Sequence, residues 1–458
     1  MEKGIGISNH QDAETRLVLI GIDSATWRVM TPLIERGELP AFKALMDVGA
    51  YGPLRTFQPT LSPLIWNTIS TGKSPEKHGM RSFSALQIPG RRCALYEYRW
   101  EQLNAWSRLA YRIFRLNWWK EWFLKHGVIK RVPLTNTFRR CKAVWNIASD
   151  HNQRVGFLGW WNSWPAERVN GFWISQYVEL LLSVPPADMS QAAYPAHLVE
   201  EARPFIHEDE QMDPRDVRRF FNLEGAELEE LATFRHSKFP LTSNYTPTQY
   251  LKLEYLCHEF RRQAAKHFYR EFAPNLLGIF LSADPVQHFF WHCMEPEHFE
   301  SIPEGDIEKY SGAIGNWYRY LDEVVSDLLE EVGESATVVI VSDHGHGPSG
   351  ELPWSGSHDD APDGIIILSG RGVKPIGRFE GASVYDVTPT ILALMGLPIG
   401  RDMDGRVLSE TIAPAFLEEK PLMYVDTHDQ EPRGDNVGVS SGMDGAVIQR
   451  LKDLGYFE

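Results

Sequence analysis

The sequence predicts an α/β protein: a mostly parallel sheet sandwiched between helices, with inserted cap segments. Three observations carry that prediction. Five short apolar runs are continuous rather than alternating, as strands buried on both faces are. Segments with helical periodicity lie between them, which implies helices covering the faces of the sheet. Three of the runs lead into an aspartate at the carboxyl end, the edge where such sheets bind ligands. At 458 residues with 43% hydrophobic side chains, the chain also has the apolar material for a large core.

In chain order the expected parallel strands are 17–22 (LVLIGI), 155–160 (VGFLGW), 276–282 (LLGIFLS), 337–342 (TVVIVS) and 364–368 (GIIIL). Residues 63–70 place Leu64, Ile65, Thr68 and Ile69 at helical spacing, and 310–331 repeats apolar residues every three or four positions. Two stretches interrupt the alternation and read as insertions. Residues 84–137 are basic and aromatic, and 180–268 are charged and helix-like with proline breaks. The core is thus expected over 14–410, with cap insertions at 84–137 and 180–268, and 411–458 as a tail packed on or extending from it. Arg and Lys beside Trp in the first insertion suit a membrane or partner interface, although a cap packed over the core is the commoner fate of such a segment.

A formal net charge of −15 argues against a nucleic-acid polymer as ligand, because such binding rests on Lys and Arg neutralising phosphates. The four cysteines, Cys93, Cys141, Cys257 and Cys293, form no CxxC pair, so neither a disulfide framework nor a thiolate zinc site is indicated. The N-terminus is polar, and no apolar run approaches the roughly 20 residues of a membrane span. A cytoplasmic protein with no transmembrane segment is expected; the oligomeric state is left open.

The strand-end aspartates are Asp23, Asp284 and Asp343. One such residue commonly just caps the following helix. Here histidines accompany them: His288 follows Asp284 by one helical turn, His344 adjoins Asp343, and His358 lies in the Gly/Ser-rich SGSHDD. Carboxylate and neutral imidazole are the ligand set of zinc and similar divalent ions, and these six residues suffice for two. Two ions would turn a carboxylate-lined mouth into an anion site. His346 and His292 stay outside this set, and His78 is assigned to a turn.

The stretch PTLSPLIWNTISTGKSPEKHG (59–79) ends in a GKS that imitates a P-loop. The motif needs glycine five places before Gly72, and Asn67 stands there. Gly72 and Lys73 also fall at the C-terminal end of the expected helix, whereas phosphate binds at N-termini. Ser62 followed by Pro63 fits the N-terminal end as N-cap and first helical residue, where a hydroxyl and free N–H groups can meet a phosphoryl oxygen. GVSSG (438–442) matches a nucleophile elbow, but the last histidine of the chain, His428, precedes Ser440, so that match is set aside.

The ordered elements GIDSATW, PTLSPLIWNTISTGKSPEKHG, SADPVQHFFW, VIVSDHGHG, GSH and YDVTPTILALMGLP with DMDGR resemble the alkaline phosphatase superfamily, and most closely its type I phosphodiesterase/nucleotide pyrophosphatase branch. The resemblance implies that Asp23, Asp343 and His344 hold one metal beside the nucleophile, and that Asp284, His288 and His358 hold a second beside the leaving group. It implies two divalent ions, zinc as the usual metal with manganese as the other choice, and a phosphoseryl intermediate on Ser62. Two departures stand out: Ser62 replaces a common threonine, and Phe83 stands where an asparagine is expected. The arginine of the sulfatase signature is missing. Residues 154–175 resemble those of bacterial phosphohydrolases of this superfamily, in which Trp160, Trp161 and Trp164 would line a pocket for an apolar or sugar-ring substituent. The implied function is hydrolysis of a phosphodiester or phosphomonoester of a small molecule, lipid or sugar. The alternatives are a phosphomutase or phosphotransferase, or a metal-stabilised binding protein whose basic, Trp-rich cap recruits a membrane or partner.

Overall fold

Leu17–Asp23 (β1) is buried at all seven positions. Its side chains alternate between two hydrophobic clusters: Val18, Ile20 and Ile22 enter one, Leu17 and Leu19 the other. A strand covered on both faces needs apolar residues on both, which explains the unbroken run. The computed structural model describes residues 16–89, 94–96, 103–178, 189–206, 212–235, 245–358, 361–430, 439–440, 442, 444–445 and 447–448.

The other main strands are Ala50–Arg55 (β2), Val155–Leu158 (β3), Gly171–Ile174 (β4), Ala193–Tyr194 (β5), Leu276–Ser282 (β6), Thr337–Val341 (β7), Gly364–Gly370 (β8) and Gly377–Arg378 (β9). Among the described residues they form a ten-stranded sheet in the order β9-β2-β8-β7-β1-β6-β3-β4-β5, with Ala382–Ser383 also pairing with β2. The central run from β7 through β1, β6 and β3 to β4 is parallel. In register, Asp23 lies opposite Ser282, which brings two of the strand-end aspartates to the same edge.

The expectation that 364–368 runs parallel to its neighbours is corrected: β8 is antiparallel to both β7 and β2. A parallel return needs a crossover, usually a helix. Between β7 and β8 the described residues form only two short strands, Gly347–Pro348 and Gly356–Ser357, paired with each other, so the chain returns beside β7 in the opposite sense. That loop carries His344, His346 and His358.

Seven helices matter below: Ser62–Thr71 (α1), Ala105–Ile113 (α2), Leu116–Lys125 (α3), Pro247–Phe272 (α4), Asp284–Met294 (α5), Ala313–Val332 (α6) and Val387–Met395 (α7). α4 and α6 cover one face of the sheet, packing Phe260, Ala264, Phe268, Trp317 and Leu321 with Leu277 and Ile279 of β6. α1 and α7 cover the other, through Ile65, Trp66, Ile69, Ile391 and Leu394. α4 therefore packs on the sheet although it falls mostly within the stretch read as the second insertion, whose beginning at 180–188 lies outside the described residues. The first insertion forms a three-stranded sheet, Ser84–Gln87, Ala94–Tyr96 and Lys130–Pro133, that carries the α2–α3 hairpin. No side chain of α2 or α3 is buried. From the tail, Ile412 and Phe416 pack into the core; residues 1–15, 431–438 and 451–458 lie outside the described residues. Among the described residues no helix is long and apolar enough to cross a membrane.

Candidate active site

β1, β6 and β7 end at one edge of the sheet. There Asp23, Asp343 and His344 bring ligand atoms within 4.8 Å of one another, and so do Asp284, His288 and His346. All six are buried. In the first group Nε2 of His344 lies 3.2 Å from Oδ2 of Asp343 and 3.7 Å from Oδ1 of Asp23. In the second, Nε2 of His288 lies 3.4 Å from Oδ2 of Asp284, and Nδ1 of His346 lies 3.6 Å from Oδ1 of the same carboxylate. His358 stands between the groups, its ring 4.8 Å from that of His344 and 5.4 Å from that of His288.

Backbone carbonyls orient two of these imidazoles. Nδ1 of His288 lies 2.9 Å from the Gly356 carbonyl and Nδ1 of His344 lies 3.0 Å from the Gly345 carbonyl. A ring that donates from Nδ1 presents a bare Nε2 lone pair, the arrangement of a metal-ligating histidine. In both residues that Nε2 faces a carboxylate of its own group.

The electrostatics also fit a cation. Burial first, and then the charges of Asp343 and Asp284, push the Asp23 carboxyl well above the usual carboxylate range. Burial pushes Asp343 up to about 8, and its Oδ2 has no hydrogen-bond partner. Burial opposes ionisation of Asp284 as well, but the imidazoles of His288, His358, His346 and His344 outweigh it and hold that carboxyl low. Burial and the neighbouring His288 depress His346, neither of whose ring nitrogens has a hydrogen-bond partner. Three buried carboxylates with an orphaned oxygen are costly without a counter-charge, and divalent ions would supply one. The donor set of carboxylate oxygen and imidazole nitrogen suits zinc or manganese.

Ser62 was expected to cap α1. The helix instead starts at Ser62 itself, with Leu61 in the cap position and no side-chain capping bond. The fully buried hydroxyl points at the first group, its Oγ 3.4 Å from Nε2 of His344. Thr60, two residues earlier, donates its hydroxyl to the His358 carbonyl at 2.5 Å and so ties the serine loop to the histidine loop. At the far end, Gly72 closes α1 at φ 67°, a left-handed cap that favours glycine, and GKS is a helix exit.

Sequence reasoning did not single out Ser24. This residue is fully buried, adopts φ 62°, and joins the two groups. Its hydroxyl donates to Oδ1 of Asp284 at 2.7 Å and lies 3.3 Å from Oδ1 of Asp23, while its N–H donates to Oδ1 of Asp343 at 3.3 Å. The Ser24 carbonyl accepts from Nε2 of Gln287 at 2.9 Å, and Oε1 of Gln287 accepts from the Tyr318 hydroxyl at 3.1 Å. The only signal in the sequence was a serine directly after a strand-end aspartate.

A solvent-open cleft of about 130 Å³ adjoins Asp23 and Asp284. Its wall includes Phe83, Trp161, Phe280, Asn162, Glu254 and Arg261. Of the three tryptophans expected at a pocket, only Trp161 lines it, and its Nε1 donates to Oδ2 of Asp23 at 2.9 Å. Trp160 is wholly buried among Trp66, Trp145 and Phe157, and Trp164 is buried against Tyr177 and donates to the Val439 carbonyl. Both follow the commoner fate of such clusters, packing. Asn162 is also buried, at φ 52°, and its Nδ2 has no hydrogen-bond partner.

The match of this chain to a family model places the protein in the alkaline phosphatase superfamily. Within it the chain belongs to the type I phosphodiesterase/nucleotide pyrophosphatase family, whose model matches residues 17–360, and that family is one of phosphoester hydrolases. Among curated proteins it is similar to the 2,3-bisphosphoglycerate-independent phosphoglycerate mutase of Prochlorococcus marinus, 34% identical over 104 residues, or 20% of this chain and 19% of that protein. The corresponding mutase of Escherichia coli strain K12 is 28% identical over 118 residues, or 24% and 22% of the two chains. The match thus spans about a fifth of the length of these relatives. Among solved structures, a mutant of the alkaline phosphatase PafA superposes with a TM-score of 0.49 at 11% identity, covering 87% of this chain and 98% of that one. Human ectonucleotide pyrophosphatase/phosphodiesterase 5 gives 0.45 at 10% identity, covering 89% and 99%.

Proposed function

We propose that the protein is a two-metal phosphohydrolase that cleaves a phosphodiester or phosphomonoester through a phosphoseryl intermediate on Ser62. The observation that carries this reading is the Ser62 hydroxyl: it is buried, it is not spent on capping its helix, and it lies 3.4 Å from His344. Asp23, Asp343 and His344 would hold one ion, and Asp284 and His288 with His358 the other; His346 would support Asp284. Zinc is the first choice and manganese the second. Bound there, the two ions would lower the pKa of the attacking hydroxyl and neutralise charge on the phosphoryl oxygens.

The chain's own part is positioning and attack. Oγ of Ser62 forms the bond to phosphorus as the bond from phosphorus to the leaving oxygen breaks, the serine proton passes to solvent, and the leaving alkoxide takes a proton from water. Water then cleaves the phosphoserine and restores the hydroxyl. At the start of α1, Pro63 has no N–H and those of Leu64 and Ile65 donate to the Leu61 carbonyl, so the Ser62 N–H is the backbone donor that would meet developing negative charge on a phosphoryl oxygen. Asn162 has a buried amide donor to add where Phe83 occupies the position of the family's asparagine. Phe83, Trp161 and Phe280 give the cleft aromatic walls and Arg261 gives it a cation, which suits a small-molecule, lipid or sugar phosphate ester rather than a nucleic-acid polymer.

The test is a panel of phosphate mono- and diesters assayed with zinc, with manganese and with chelator, followed by acid trapping of the phosphorylated peptide. The expected result is metal-dependent release of alcohol and a phosphoserine at Ser62. Turnover that survives complete chelation would overturn the reading. The mutase similarity favours one second reading, in which the phosphoryl group passes to another alcohol. Added acceptor alcohol separates the two: a phosphorylated acceptor means transfer, inorganic phosphate alone means hydrolysis.

A further inference from the structure

We propose that the α2–α3 hairpin docks the protein onto an anionic lipid surface. Between Ala105 and Arg131 the chain carries seven lysines and arginines against a single glutamate, on a protein whose net charge is −15. A cationic element on an acidic body is complementary to anionic headgroups, and the body's repulsion would leave the hairpin as the side that approaches.

The apolar side chains of the hairpin face outward. Along α2, Trp106, Leu109 and Ile113 recur at three- and four-residue spacing and are 81%, 47% and 64% exposed. Phe114 at the turn and Trp118, Trp119 and Trp122 of α3 are exposed as well. The aromatic rings pack on one another: Trp118 lies edge-on to Trp119 at 4.7 Å, Trp122 contacts Phe123 at 5.3 Å, and His126 stacks on Trp122 at 4.1 Å. None of these residues joins the hydrophobic clusters of the core, as a cap closing over the sheet would require. Exposed apolar surface on this scale marks an interaction site. Tryptophan interleaved with arginine and lysine is the composition that settles at the headgroup level, with rings in the boundary and cations toward the phosphates.

The hairpin also connects directly to the cleft. Its exit strand, Lys130–Pro133, ends at Pro133 and Leu134, both of which line the cleft, and the N–H of Leu134 donates to the carbonyl of Phe83, another cleft residue, at 3.0 Å. From Lys130 to Pro133 an extended strand spans only about 10 Å. Docking the hairpin would therefore hold the cleft close to the lipid surface. The docking itself does not depend on the catalytic reading.

The experiment is co-sedimentation of the full chain with vesicles of phosphatidylcholine alone and of phosphatidylcholine with phosphatidylglycerol, at low and high salt. Binding is expected only with phosphatidylglycerol, with a blue shift of tryptophan emission, and it should weaken as salt rises. The triple variant W118A/W119A/W122A and the double variant R115Q/K125Q should each lower the partition coefficient by at least about tenfold. Because these side chains are exposed, thermal unfolding should be unchanged; if a variant fails to fold, the salt and headgroup dependence of the parent protein still decides. Absence of binding to anionic vesicles would overturn the proposal, as would equal binding to neutral ones. Self-association abolished by the tryptophan substitutions, without vesicle binding, would overturn it in favour of a second copy of the chain.

Discussion

Oγ of Ser62 lies 3.4 Å from Nε2 of His344, and the contact joins the start of α1 to the loop after β7 across 282 positions of sequence. The two side chains meet at the edge where Asp23, Asp284 and Asp343 gather. Replacing Ser62 by alanine deletes one hydroxyl that makes no capping bond, so the fold should not notice it. Catalysis should. Ser62→Ala is expected to lower kcat by about 10³-fold or more with the melting temperature unchanged. Turnover assays beside thermal unfolding check both halves, and near-wild-type turnover would remove Ser62 from the reaction.

Lys73 gives the opposite pattern. It is buried at the exit of α1, and its ammonium donates to Asp402 at 2.5 Å and to Asp429 at 2.7 Å. Burial works against its charge, but the two carboxylates outweigh burial and raise its pKa. Asp402 is partly exposed, which discounts the pair. Lys73→Ala should cost about 2–3 kcal/mol of stability, near the lower end for breaking a buried ion pair. Lys73 sits about 15 Å from Ser62 along the helix axis, so kcat of the folded fraction should be unchanged. A large fall in kcat without loss of stability would contradict this assignment.

The contrast between these two residues shows what the sequence carries. Continuous apolar runs located β1, β6 and β7, and their terminal aspartates mark the site because a strand's end is a local property. Helical spacing in 63–70 separated the entrance of α1 from its exit. The direction of β8 was not legible, since an apolar run reads the same both ways and the connection decided it. The bridging position of Ser24 and the closeness of His346 to Asp284 are tertiary contacts with no local pattern. Trp160 and Trp161 are neighbours of one residue type, yet one is core and the other cleft wall, because they lie in the turn after β3, between Gly159 and Asn162 at positive φ, where no local period says which side chain faces inward. The α2–α3 hairpin has a composition that would serve a cap or an interface, and only the surroundings of its apolar face distinguish them.

Ser24 offers a test of whether the two candidate metal-binding groups act as one. Its φ of 62° would suit glycine better, but glycine lacks the hydroxyl that reaches Asp284. Ser24→Gly relaxes the backbone and Ser24→Ala keeps the strain, and both remove the hydroxyl. If the hydroxyl orients the carboxylates, both variants should weaken metal binding by about 10- to 100-fold. Metal titration followed by thermal stabilisation reads this without an activity assay. A benign glycine and a harmful alanine would show that only the backbone conformation matters.

His78 allows a prediction about acid stability away from the two carboxylate–imidazole groups. Its ring is fully buried at the turn after α1; Nδ1 accepts the Met80 N–H at 3.1 Å, and Nε2 lies 3.1 Å from the Thr68 hydroxyl, which donates to the Leu64 carbonyl at 3.1 Å. This chain fixes the neutral tautomer with its proton on Nε2, so protonation must break the Met80 bond. Burial, then the nearby Arg139, lower the His78 pKa to about 3. In the unfolded chain it returns to about 6.5. Between these values the unfolded state binds more protons, so stability rises with pH there: the contribution is complete above about pH 6.5 and is lost as pH falls toward 3. Moving from about pH 7.5 to about pH 5 should remove about 2 kcal/mol through this residue alone. His78→Asn, whose side-chain oxygen can accept the Met80 N–H without titrating, should lose about that much less over the same step. Urea unfolding of both proteins at both pH values gives the double difference, and an equal acid loss in the two would show that His78 is not held neutral by the fold.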